Sequence, residues 1–108
     1  MTIKELKENP ELVNLMTEDL DEFSEDTEVV FEVFAFGYDN EDNLIDCSLC
    51  LASSPEPKEA IQFATELTAE NVESLVEGAQ RTVEVETVIG SEDECINIGT
   101  IYLKTLEN

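Results

Sequence analysis

The sequence predicts an α+β domain: a four-stranded antiparallel sheet built from two β-hairpins, with helices packed on one face, in the order α-β-β-α-α-β-β. Three observations carry this prediction. Residues 28–52 hold two apolar, β-prone runs split by an acidic, Asn-rich break. Residues 81–89 and 95–106 repeat that arrangement around Gly90-Ser91-Glu92-Asp93-Glu94. Before and between these hairpins, apolar residues recur at helical spacing. At 108 residues the chain is one domain, with an N-terminal helical segment over 1–25 and a ββααββ core over 28–106.

Thr2 and Glu5 form a capping box that opens a short helical turn ending near Lys7. Asn9-Pro10-Glu11 is a second start, with Asn at the N-cap, Pro in the first helical position and an acid in the first turn. This helix is expected to run from Pro10 to about Phe23, with Leu12, Leu15, Met16, Leu20 and Phe23 near one face. Ser24-Glu25-Asp26 ends it. The first strand follows over 28–38. Val29, Phe31, Val33 and Ala35 point one way; Val30, Phe34 and Phe36 point the other, interrupted by Glu32. Apolar residues on both faces mark a central strand, covered on both sides by the chain or by another subunit. Gly37 marks a bulge or the strand's end.

Asp39-Asn40-Glu41-Asp42-Asn43 is rich in residues that bond their own backbone and reads as the hairpin turn. In the second strand, over 44–52, Ile45, Cys47, Leu49 and Leu51 are expected inward, with Asp46 and Ser48 outward. Pro57 starts a helix whose apolar face is Ala60, Ile61, Phe63, Ala64 and Leu67, with Phe63 packed on the first hairpin. Thr68 caps a further helix over 69–77, stopped by Gly78. In the third strand Val83, Val85, Thr87 and Ile89 share one face, and Glu84 and Glu86 the other. The fourth changes phase at Gly99, where a bulge is the natural explanation.

Charge is the compositional outlier. Twenty-seven Asp and Glu face five Lys and Arg, giving a net charge of -22 with no His. Nucleic acid and anionic membrane surfaces carry the same sign and are disfavoured as direct ligands; basic protein surfaces are favoured. No apolar run approaches the ~18 residues of a membrane span. The N-terminus has no signal-peptide pattern, and the three cysteines are an odd set, so the expected location is cytoplasmic with free thiols.

The motif-like features are weak. Cys47 and Cys50 form a C-x-x-C, but on a strand residues three apart lie ~10 Å apart on opposite faces, too far for a disulfide. They are read as small core residues. Asp39-x-Glu41-x-Asn43 starts like a calcium loop, but Leu44 and Cys50 stand where Gly and Glu are required. Both it and Glu92-Asp93-Glu94 read more simply as turns. Glu32, mid-strand among apolar residues, is a candidate acid if buried; its plainer reading is a rim carboxylate or a partner for Arg81 or Lys104. No catalytic residue, metal site or cofactor is assigned.

The one regular charged array is the acidic face of the N-terminal helix: Glu11, Glu18, Asp21, Glu22 and Glu25. Carboxylates one or two helical turns apart, ~5–10 Å, can occupy a Lys/Arg groove built for nucleic acid. Two functions of different kinds follow. The first is a non-enzymatic interaction module that docks on a basic protein, in its sharpest form a DNA-mimicking inhibitor or regulator of a nucleic-acid-binding protein. The alternative is a structural or accessory domain, a homodimer in one version, whose acidity serves only solubility.

Overall fold

The computed structural model describes residues 1–48, 50–68, 70–72, 80–91 and 94–106. It is α+β, with an antiparallel sheet of five strands and a few short helices. In chain order these are α1 (Ile3–Lys7), α2 (Pro10–Val13), a 3-10 turn (Leu20–Glu22), β1 (Val29–Tyr38), β2 (Leu44–Cys47), β3 (Ala52–Ser54), α3 (Pro57–Glu66), β4 (Gln80–Ser91) and β5 (Glu94–Leu106).

The start signals work as their chemistry dictates. Thr2 Oγ1 accepts from Glu5 N while a Glu5 carboxylate oxygen accepts from Thr2 N, which completes the box on α1. Asn9 Oδ1 accepts from Leu12 N at the head of α2. Pro57 stands in the first turn of α3. At the far end of α3, Lys104 Nζ donates to Thr65 O and Leu67 O at 2.8 and 2.7 Å, satisfying carbonyls that the helix leaves open.

The expected helix from Pro10 to Phe23 is not formed. Only Pro10–Val13 is α-helical, and a separate 3-10 turn follows at Leu20–Glu22. The acidic residues explain the break. Glu18, Asp21, Glu22 and Glu25 would stand three, four and seven positions apart on one helix, where like charges repel. Asp19 instead folds its side chain onto the Asp21 N–H at 2.9 Å. Thr17 N leaves the helical ladder for Ile98 O at 2.8 Å. An arm therefore runs from α2 to β5, where Met16 forms an isolated bridge with Gly99.

The sheet order is β2-β1-β4-β5, with β3 also pairing β1, so the first strand of each predicted hairpin lies beside the other. The expected single strand over 44–52 is two strands on one side of β1. From Phe36 to Val33 is three steps along β1, but the partner takes five, from Cys47 to Ala52. Ser48 holds this bulge: its N–H donates to Ala35 O, and its Oγ accepts from Ala35 N. The bulge breaks the predicted alternation. Ile45, Cys47, Cys50 and Leu51 are all exposed rather than inward, which overturns the core reading of the two cysteines. Leu49 lies outside the described residues. So does most of the helix expected over 69–77 with its stop at Gly78; residues 70–72 form a turn begun at Thr68.

One face of the sheet carries the core. Val29, Phe31, Val33 and Ala35 of β1 meet Val83, Val85 and Ile89 of β4 and Ile98 and Leu106 of β5. Ile3, Leu6, Leu12 and Leu20 cover them from the N-terminal segment, and Ala60, Ala64 and Leu67 from the α3 side. Burying a side chain such as Phe31 completely stabilises the fold by about 1.5–3 kcal/mol. Phe63, expected in this interface, is 39% exposed. The phase change in β5 is real: the register slips on both sides of Gly99, leaving Ile98 and Ile101 as extra residues opposite β4.

Candidate functional site

β1 alternates strictly between buried and half-buried residues along its length. Since successive strand side chains point to opposite faces, its second row is Val30, Glu32, Phe34, Phe36 and Tyr38. Among the described residues the helical segments bury their side chains against the other face, and none packs on this row.

Strand pairing builds the face rung by rung. Glu32 stands opposite Glu86, and Glu86 opposite Thr100. Phe34 stands opposite Glu84, and Glu84 opposite Leu103. Phe36 lies between Cys47 and Thr82, and Tyr38 between Leu44 and Gln80. The Phe34 and Phe36 rings are 6.2 Å apart between centroids, tilted by 39°. Leu103 and Leu44 are 59% and 55% exposed. Three carboxylates are thus inlaid in a partly apolar surface.

The electrostatics follow from this placement. Burial holds the Glu86 carboxyl above its ordinary pKa, and the charges of Glu84 and Glu32 push it the same way. Glu84 is also raised by burial, partly offset by the Tyr38 hydroxyl that donates to it. Tyr38 is raised in turn, by burial and then by Glu84 and Glu86. Like charges directly opposite on paired strands repel, and among the described residues no ion pair relieves Glu32, Glu84 or Glu86. Neither cation proposed for Glu32 faces it. Lys104 turns to the end of α3, and Arg81 sits in the core-side row opposite Gly37, donating from Nη1 to Val72 O at 3.1 Å.

Cys50 borders the same patch. Its thiol is pushed up by burial and by the Glu32 carboxylate beside it, and it donates to Ala52 O. That favours the protonated form, the opposite of what a nucleophilic or metal-binding sulfur needs. Asp39 serves its turn: its Oδ1 accepts from Glu41 N and Asn43 N at 2.9 Å each, which holds its carboxyl low. No group of three or more Cys, Asp or Glu among the described residues is placed to hold a metal ion. Residues 92–93 of the second acidic stretch lie outside the described residues.

The expected acidic array is dispersed. Glu11 is on α2, Glu18 on the arm, Asp21 and Glu22 on the 3-10 turn, and Glu25 beyond it; all five are exposed. Asp21 pairs with Lys7 at 2.9 Å and raises the lysine's pKa. A cleft of about 280 Å³ opens beside that pair, lined also by Val13, Met16, Glu18, Asp19 and Leu20. These residues form an acidic surface, but not a row on one helix.

The residues the sequence reading left out are Glu84 and Glu86, with Phe34, Phe36, Tyr38 and Leu103 around them. Their parity along each strand was visible. What brings them together is the β1–β4 pairing, which the local pattern does not contain. No protein-family model, curated protein or solved structure matches the chain, and no helix among the described residues is long and apolar enough to cross a membrane.

Proposed function

We propose that this chain is a small, acidic, non-enzymatic interaction module that docks on the basic surface of a nucleic-acid-binding protein, in the place that nucleic acid would take. The carrying observation is charge per length. The molecule measures 43 × 25 × 24 Å and bears a net charge of -22. A DNA duplex as long as its major axis bears roughly 25 phosphate charges, at one per ~1.7 Å. Three of the five cations are engaged within the fold, Lys7 with Asp21, Arg81 with Val72 O and Lys104 with Thr65 and Leu67, so little positive charge interrupts the acidic exterior. The absence of His and the protonated state favoured for Cys50 weigh against acid–base and thiolate chemistry.

The test uses the tagged full chain as bait at low and moderate salt. Each recovered protein is then loaded with labelled duplex DNA and challenged with the free chain. Displacement of the duplex, weakening as salt rises, supports the reading. A partner that holds DNA and this chain together removes the mimicry.

The accessory-homodimer reading draws on the half-covered face, where among the described residues no helix packs over Phe34, Phe36 and Leu103. Sedimentation at moderate salt decides it; a strict monomer leaves it without support.

A further inference from the structure

We propose that the open face of the sheet receives an amphipathic helix of a partner protein, its Arg or Lys side chains over Glu32, Glu84 and Glu86 and its apolar side chains on Phe34, Phe36 and Leu103. This rests on reading the chain as a partner-binding module and names the surface and the chemistry it selects.

Charge complementarity chooses the occupant. Glu32 and Glu86 face each other across β1 and β4, and Glu84 is the next residue of that row. Such a rung destabilises the isolated sheet. A cation placed above it reverses the sign of the interaction, and adjacent rings add cation–π attraction. A second copy of the chain would set three carboxylates against three. Nucleic acid and anionic lipid bring the wrong charge.

Geometry chooses the shape. The opposite face of the same sheet is already covered by helical segments, with Ile3, Leu6, Ala60 and Ala64 buried there. A strand would need an edge rather than a face, because its affinity comes from main-chain hydrogen bonds. A helix needs only apolar side chains at three- and four-residue spacing, with cations beside them. Glu84 stands between Phe34 and Leu103 on one rung, beside the Glu32–Glu86 rung, so one such helix can meet both apolar and acidic positions.

The probe is a fluorescent peptide of about 18 residues, ~27 Å as a helix, with Leu on one face and Arg flanking it. A scrambled peptide of equal composition and a version with Glu for Arg are the controls. The full chain is titrated by anisotropy at moderate salt. Wild type is expected to bind the ordered peptide at least ~10-fold tighter than the scrambled one, and the Glu version not at all. The triple variant Glu32→Gln, Glu84→Gln, Glu86→Gln should weaken binding by ~10-fold or more. The quadruple variant Glu11→Gln, Glu18→Gln, Glu22→Gln, Glu25→Gln removes more charge yet should change it by less than ~3-fold, since exposed single charges contribute little. Amide shifts on peptide binding should fall on β1 and β4, a readout that does not depend on any variant folding. Equal affinity for the scrambled peptide, shifts confined to the N-terminal segment, or no binding of the ordered peptide overturns the proposal. If the peptide fails while the chain still displaces DNA from a recovered partner, only this face is lost. If the peptide binds and displacement fails, the face stands and nucleic-acid mimicry does not.

Discussion

Thr87 is fully enclosed in the core-side row of β4, and its hydroxyl has no hydrogen-bond partner among the described residues. A buried polar group left unsatisfied costs about 1–3 kcal/mol. Thr87→Val keeps the shape and removes that cost, so it should stabilise the protein by about 1 kcal/mol, read as a higher urea midpoint with an unchanged slope. Glu86 makes the opposite kind of strain, on the other face. Its folded pKa is raised above its ordinary value of 4.5, so the folded state holds the proton more tightly than the unfolded one. The stability this confers is full below the ordinary value and is lost as pH rises through the raised one. Glu86→Gln should therefore match wild type near pH 4 and exceed it at pH 7, by on the order of 0.5 kcal/mol. Equal gains at both pH values in urea titrations would show that charge is not the cause.

At the scale of elements, the arm between α2 and the 3-10 turn depends on Gly99. A Cβ there would lie 2.7 Å from Leu15 O, 2.8 Å from Met16 Cε and 3.0 Å from Met16 Cα. Backbone cannot yield as a side-chain tip can, so Gly99→Ala should cost about 2 kcal/mol. The loss should appear as faster hydrogen exchange at Thr17 N–H, which donates to Ile98 O. Much of the element plan was legible because its signals are local: the Thr2–Glu5 box, Asn9-Pro10, the parity of Val29, Phe31, Val33 and Ala35, and the phase slip at Gly99. What failed depended on competition between elements. Spacing of Leu12, Leu15, Met16 and Leu20 argued for a long helix, but their acidic neighbours repel and β5 offers the arm a partner. The run over 44–52 alternates well, yet the Ser48 bulge interrupts it. The candidate site was half legible. Glu32 was singled out by its setting, but its neighbour Glu86 comes from a strand 54 residues away, and only topology makes them adjacent.

For the whole molecule, a net charge of -22 on 108 residues means self-repulsion at every approach of two acidic segments. Raising NaCl from 0.02 to 0.5 M shortens the screening length from roughly 21 to roughly 4 Å; it should raise the melting temperature, and calorimetry should show no change in the cooperativity of the transition. A melting temperature indifferent to salt would mean that the carboxylates already sit far enough apart in both states. The way the arm meets β5 has one more consequence. β5 ends the strand order, and a long strand with an open outer side is a template on which further chains can add. The extra residues at Ile98 and Ile101 bend that side, and Thr17 and Met16 occupy its backbone where it bends. Loosening the arm would therefore uncover a polymerisation edge, and the charge that resists such growth at low ionic strength is the one that salt removes.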